Sequence, residues 1–192
     1  MKTEHAGMIE TVKDGIVTAV KGGGDIFQAT VNTTTETLAT ALKDAGKVGA
    51  SATDAIADTA SGAIRGAADV GAHLGHASKG IIVGVLRGTK HIGSEAIDTI
   101  GHTAGVVIQS TAEVGGKLEH AATGLVEGAI HSAKELGVSA EDAASAAADG
   151  ALKAAGKVGS TAVEAVHKAV TATAHGANVT LKQPKVAGSS NK

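Results

Sequence analysis

Aromatic side chains are almost missing from this chain. Its 192 residues hold one Phe and no Trp or Tyr, although 43% of them are hydrophobic. The apolar mass is therefore Ala, Val, Ile and Leu, and a thick core built on large rings is excluded. Cys is absent as well, which removes disulfide frameworks, thiol catalysis and Cys-based zinc sites. Pro occurs once, as Pro184, so nothing ahead of it imposes a hard helix stop. A net charge of −2 gives no basic excess for non-specific nucleic-acid binding. Long hydrophobic runs are lacking too. The most apolar stretch, GIIVGVL (80–86), falls well short of the ~20 residues a bilayer span needs. The opening MKTEHAGMIETVKDG has no signal-peptide core. The expectation is a cytoplasmic, non-spanning protein.

What the chain has instead is Gly, 27 residues of it, and a period. ALKDAGKVG (41–49) returns as ALKAAGKVG (151–159), 110 residues later. Between them an aliphatic residue precedes Gly49, Gly71, Gly93, Gly115, Gly137 and Gly159, at steps of 22. Extended backwards, the register gives about eight units. The expected organisation is a short N-terminal end (1–3), an array over 4–179 and a disordered polar tail over 180–192.

The pattern inside the unit selects the secondary structure. One column reads Val20, Leu42, Ile64, Leu86, Ile108, Ile130, Leu152. At 11 residues per three turns it joins the other aliphatics in an arc of about 130°. A column with Lys21, Lys43, Arg65 and Arg87 and another with Glu10, Asp54, Asp98 and Glu164 share the opposite azimuth. Strand alternation explains none of this, and runs such as AEDAASAAADGALKAAG suit strands poorly. The reading is all-α: one long amphipathic helix, or a helical hairpin or bundle, built from 22-residue repeats, with disorder in the free state as a further option. As one rod the array would run roughly 260 Å. A helix of this kind is marginal alone in water, so something must cover its stripe.

Segments such as ETVKDGIVTAVKGGG (10–24), TETLATALKDAGKVG (35–49) and GKVGSTAVEAVHKAV (156–170) resemble the 11-residue repeats of the synucleins and of perilipin-type lipid-droplet proteins. The 22-residue unit is also similar to that of exchangeable apolipoproteins. The resemblance implies reversible helix formation on lipid. The first functional expectation is accordingly a peripheral protein coating a lipid, membrane or storage-granule surface. The alternative is a structural self-assembling helical bundle or filament protein, or a stress-protective, conditionally folded one.

The residues expected to carry either role are the column above plus Ile81, Ile82, Val85 and Val107, as a lipid or helix-packing stripe. Lys13, Lys79, Lys90 and Lys134 fall just beyond its edge, where they would snorkel to head groups. Gly49, Gly71, Gly93, Gly115, Gly137 and Gly159 fall within the arc, where they would let helices pack closely. In a hairpin bundle, Gly22–Gly24 and Gly115–Gly116 are the candidate turns. A homo-oligomer is a possible partner state, and no nucleic-acid partner is expected.

Nothing reads as catalytic. GKVGA (46–50) and GKVGS (156–160) lack phosphate-loop spacing. The carboxylates are scattered among Lys and form no isolated pair for acid–base work. Thr33, Thr34 and Thr35 read as a polar face or a fraying point. His73 and His76, at i and i+3, have a metal-compatible spacing. On a straight helix, however, equivalent His such as His76 and His120 are too far apart to share an ion. The nine His are read as a polar face able to gain charge near pH 6. No enzyme, cofactor or metal is expected.

Overall fold

With no Pro before residue 184 and abundant Ala, the chain is helical almost throughout. At most of the described helix ends it is Gly that divides it, and at the end of α4 it is Lys90 in the left-handed conformation. The computed structural model describes residues 2–48, 52–90 and 94–181, with side chains described for 6–43, 52–90 and 95–181. Eight α-helices occur among the described residues: α1 (Lys2–Lys21), α2 (Ile26–Val48), α3 (Ala52–Asp69), α4 (Leu74–Thr89), α5 (Ser94–Glu113), α6 (Leu118–Ala133), α7 (Ala140–Val158) and α8 (Ser160–Gly176). They form a bundle and not a rod.

The turns explain the break-up. After α5, Gly115 takes φ +68, a left-handed conformation that costs any residue with a Cβ. Gly115 N–H donates to the Ala112 carbonyl and Gly116 N–H to the Thr111 carbonyl. That pair of bonds is the Schellman closure, which satisfies the orphan carbonyls at a helix end. The same pair closes α1 at Gly23, α3 at Gly71 and α6 around Gly137. The next helix is then capped: Asp25 Oδ1 accepts from Gln28 N–H at 3.1 Å ahead of α2, and Ser139 Oγ accepts from Asp142 N–H at 3.0 Å ahead of α7.

This corrects the role expected of the aliphatic–Gly pairs. Gly71, Gly115, Gly137 and Gly159 have positive φ, and a Cβ built on any of them would meet nothing within 4 Å. They end helices and do not pack them. Gly49 and Gly93 lie outside the described residues. The turns expected of a bundle at Gly22–Gly24 and Gly115–Gly116 are present. Of the expected polar tail, only Thr180 and Leu181 are described, and neither is helical.

Among the described residues, helices touch only their sequence neighbours and next-neighbours. Alternate helices run parallel, as the ion pairs between them show: Arg65 to Glu113, Lys79 to Glu127 and Arg87 to Glu135, each 48 residues apart. The result is two layers, α1–α3–α5–α7 and α2–α4–α6–α8, with the core between them. Ile16, Leu38, Ile64, Ile81, Ile82, Ile100, Ile108 and Leu125 are its largest fully buried side chains.

A second class of Gly makes the seams within each layer. On α4, Gly80, Gly84 and Gly88 face α2 at successive turns. A Cβ on Gly84 would lie 2.7 Å from Thr34 Cβ and 2.9 Å from the Val31 carbonyl. Gly62 and Gly66 face α1 in the same way, and Gly124 and Gly128 face α4. The small-residue approach expected of the turn glycines is thus supplied by i, i+4 glycines inside the helices.

A glycine in a seam and a glycine on an open helix face should respond oppositely to substitution. Gly84→Ala forces α2 and α4 apart and is expected to cost ~1–3 kcal/mol. Gly7→Ala, with nothing within 4 Å of the added Cβ, gains helix propensity and is expected to be neutral or stabilising by up to ~1 kcal/mol. Urea melts of the two variants against the parent check this; equal effects would disprove the seam.

Candidate functional site

The side chains expected to meet lipid face inward. Ile64, Ile81, Ile82, Val85, Leu86, Val107 and Ile108 are buried in one core. Val20, Ile130 and Leu152 pack against it partly buried, and Leu42 is half-buried on α2. Val158, at 47% exposure, is the one large hydrophobic left exposed among the described residues. No described helix is long and apolar enough to cross a membrane. A lipid or granule coat needs a continuous apolar stripe turned outward, and here the stripe is consumed within the bundle. This overturns the coating function, the peripheral location and the lipid partner. It also overturns the synuclein- and perilipin-like resemblance as a guide to architecture.

The four candidate head-group lysines are accounted for as well. Lys79 pairs with Glu127 at 3.3 Å and lies 6.0 Å from the Phe27 ring centroid. Lys13 pairs with Glu10 and, at 4.0 Å, with Asp69. The bond to Glu10 raises its pKa against the opposing effect of burial, and the charges of Glu10, Asp14 and Asp69 add to the rise. Lys90 and Lys134 occupy the C-caps of α4 and α6, where a cation suits the negative end of the helix dipole.

Two features gather polar chemistry. The first is a histidine cluster. Because α4 and α6 run parallel, their N-termini lie side by side, and Gly75 and Gly124 bring the backbones together there. His73, just ahead of α4, stacks on His120 with ring centroids 4.5 Å apart and planes 19° apart. His76, one turn on, is 5.0 Å from His73. Burial, then His120, His76 and Lys117, lower the His73 pKa. A rod would have kept His73 and His120 apart, but the fold brings these residues of two different helices into a stack. Both His were visible in the sequence, and only alternate-helix packing gives them meaning. Among the described residues no three His, Asp or Glu side chains are arranged to hold a metal ion. His73, set beside two positive helix ends, instead resists protonation.

The second feature is the seam between α5 and α7, a groove of about 530 Å³ on the outer face of the layer. Gly101, Gly105, Ala146 and Gly150 line its floor. Asp98, His102, Asp149, Lys153 and Lys157 rim it. Burial raises the Asp149 pKa. A second groove, of about 580 Å³ between α6 and α8, has the Lys79–Glu127 pair and His131 on its lip.

No protein-family model matches the chain, and no curated protein matches it in sequence.

The His73 shift has a definite sign for stability. Its folded pKa lies below the ordinary 6.5, so as pH falls the unfolded chain takes up this proton first. The contribution is full above about pH 6.5 and is lost as pH drops through the lowered folded value. Thermal melts between about pH 7.5 and about pH 5 are expected to show a falling Tm. In His73→Gln the fall should be smaller, and an identical slope in parent and variant would remove the cluster as its cause.

Proposed function

We propose that the chain is a structural, non-catalytic protein: a self-assembling helical bundle whose 22-residue units each supply one helix and its closing turn. The observation that carries the reading is the internal use of the apolar stripe. The seams within the layers are built from small residues that hold backbones together, and Val158 is the one large hydrophobic left exposed among the described residues. Such a body is suited to serve as a rigid block, with neighbours stacked as in other repeat arrays. The positions of Gly71, Gly115, Gly137 and Gly159 at helix ends support the helix-plus-turn unit. The polar groups that lie together are ion pairs and an imidazole stack, which supports a non-catalytic role.

Circular dichroism and sedimentation velocity test the reading. In buffer without lipid, the expected result is a strongly helical spectrum, one cooperative melt and species heavier than the 18.6 kDa chain that grow with concentration. A coil spectrum would overturn the bundle, and an 18.6 kDa mass at every concentration would overturn self-assembly. Leu86→Lys with Ile108→Lys buries two unpaired charges where both side chains are now at most 2% exposed. The double variant is expected to lose the helical melt altogether, since each buried charge costs several kcal/mol.

A further inference from the structure

Three of the seams within the layers are closed over. Gly62 and Gly66 between α1 and α3, Gly80, Gly84 and Gly88 between α2 and α4, and Gly124 and Gly128 between α4 and α6 are all buried. The α5–α7 seam is also close, since a Cβ on Gly150 would meet the Gly101 carbonyl, but Gly101, Gly105 and Gly150 stay half-exposed along its groove.

Its charges differ too. Arg65, Lys79 and Arg87 each meet a carboxylate 48 residues further along the chain. The positions 48 residues before Lys153 and Lys157 are Gly105 and Gln109, which carry no charge. Asp98, Asp149, Lys153 and Lys157 have no ion pair among the described residues. They are sorted along the groove. Asp98 is near the start of α5, and Asp149 precedes Lys153 and Lys157 on α7 by one and two turns. Since α5 and α7 run parallel, the groove has an acidic half and a basic half of equal charge.

We propose that the α5–α7 groove is a self-complementary docking face on which a second copy of this chain sits antiparallel, related by a two-fold axis. The axis passes between Asp149 and Lys153. It sets Asp149 against Lys153 of the second copy and turns the Asp98 end toward Lys157 of that copy. Closed point-group symmetry of this kind requires one patch that fits itself, and a groove with opposite charges at its two ends meets that requirement. A surface of a single charge sign would fit one half and be repelled by the other. Gly101, Gly105, Ala146 and Gly150 put no long side chain on the groove floor, so nothing there holds the second copy off.

The proposal rests on the reading that the chain self-assembles, and charge inversion separates the two. Asp98→Lys with Asp149→Lys makes the groove all basic, and Lys153→Glu with Lys157→Glu makes it all acidic. Each double variant alone is expected to dimerise at least ~10-fold more weakly than the parent by sedimentation velocity, because like charges then face each other across the axis. Mixed in equal amounts, they should pair with each other, and native mass spectrometry will show the heterodimer. The milder Asp149→Asn and Lys153→Gln, which only delete charge, should each weaken the dimer, and mixing them should restore one Asp149–Lys153 pair and part of the affinity. If the charge-inverted variants, still helical by circular dichroism, associate as the parent does, the interface is elsewhere and self-assembly stands. If mixing brings no heterodimer, the antiparallel pairing is wrong. A parent that stays monomeric overturns both readings.

Discussion

The closest approaches in this molecule are between backbones. Helices packed through ordinary side chains sit ~8–10 Å apart. Here a Cβ on Gly80 would lie 2.9 Å from the Phe27 carbonyl, and one on Gly128 would lie 2.9 Å from the Lys79 carbonyl. Proximity of this kind changes what a core needs. Dispersion depends on short distances more than on large groups, so Ala, Val and Ile suffice once the backbones have come together. Aromatic rings would have no room in such seams. The near-absence of aromatics and the abundance of Gly are therefore one property seen from two sides.

The arrangement has costs that shape the rest of the structure. Gly inside a helix weakens it, so α4, with Gly75, Gly80, Gly84 and Gly88, depends on its neighbours. Close seams also trap hydroxyls. Thr30, Ser78 and Thr89 donate to the carbonyl four residues back in their own helices, which makes a buried hydroxyl tolerable without a partner across the seam. Thr34, Thr103, Thr111 and Ser132 are buried with no hydrogen-bond partner, and each subtracts from stability. Contacts that reach only the next and next-but-one helix spread these gains and losses along the array. Stability then becomes a sum over neighbours and not a property of one central core.

Helix type was legible in the sequence because the apolar column recurs with a helical period. Ile64, Leu86 and Ile108 appear in it and are buried. Where each helix ends was not legible from the same period. Gly71 and Gly115 fall inside the apolar arc when the chain is drawn as one helix, and a letter does not carry its φ. The signal that could have found the ends is a capping residue shortly after the glycine. Ser139 after Gly137 is one such case, marking a stop and a new start. Gly80, Gly84 and Gly88 stand at i, i+4 spacing in plain sight, but inside an apolar run their spacing says nothing of which helix they meet. The His73–His120 stack and the α5–α7 groove bring together residues from different helices, so no single-helix projection contains them.

The lipid reading failed for a reason contained in the same glycines. An apolar stripe records that something covers it and is silent on what. A membrane rewards apolar area, about 25 cal/mol per Å², and Gly contributes almost none. Turning the stripe of α4 outward would expose Gly80, Gly84 and Gly88 to lipid that gains little from them. The seam to α2 would be lost, and a Gly-weakened helix of 16 residues would be left to hold itself, at a length already marginal in water. Against another helix the same three positions admit backbone to backbone. Glycine repeated every fourth residue on an apolar face therefore favours a protein surface over a lipid one, and this chain places that pattern on consecutive turns of α3, α4 and α6.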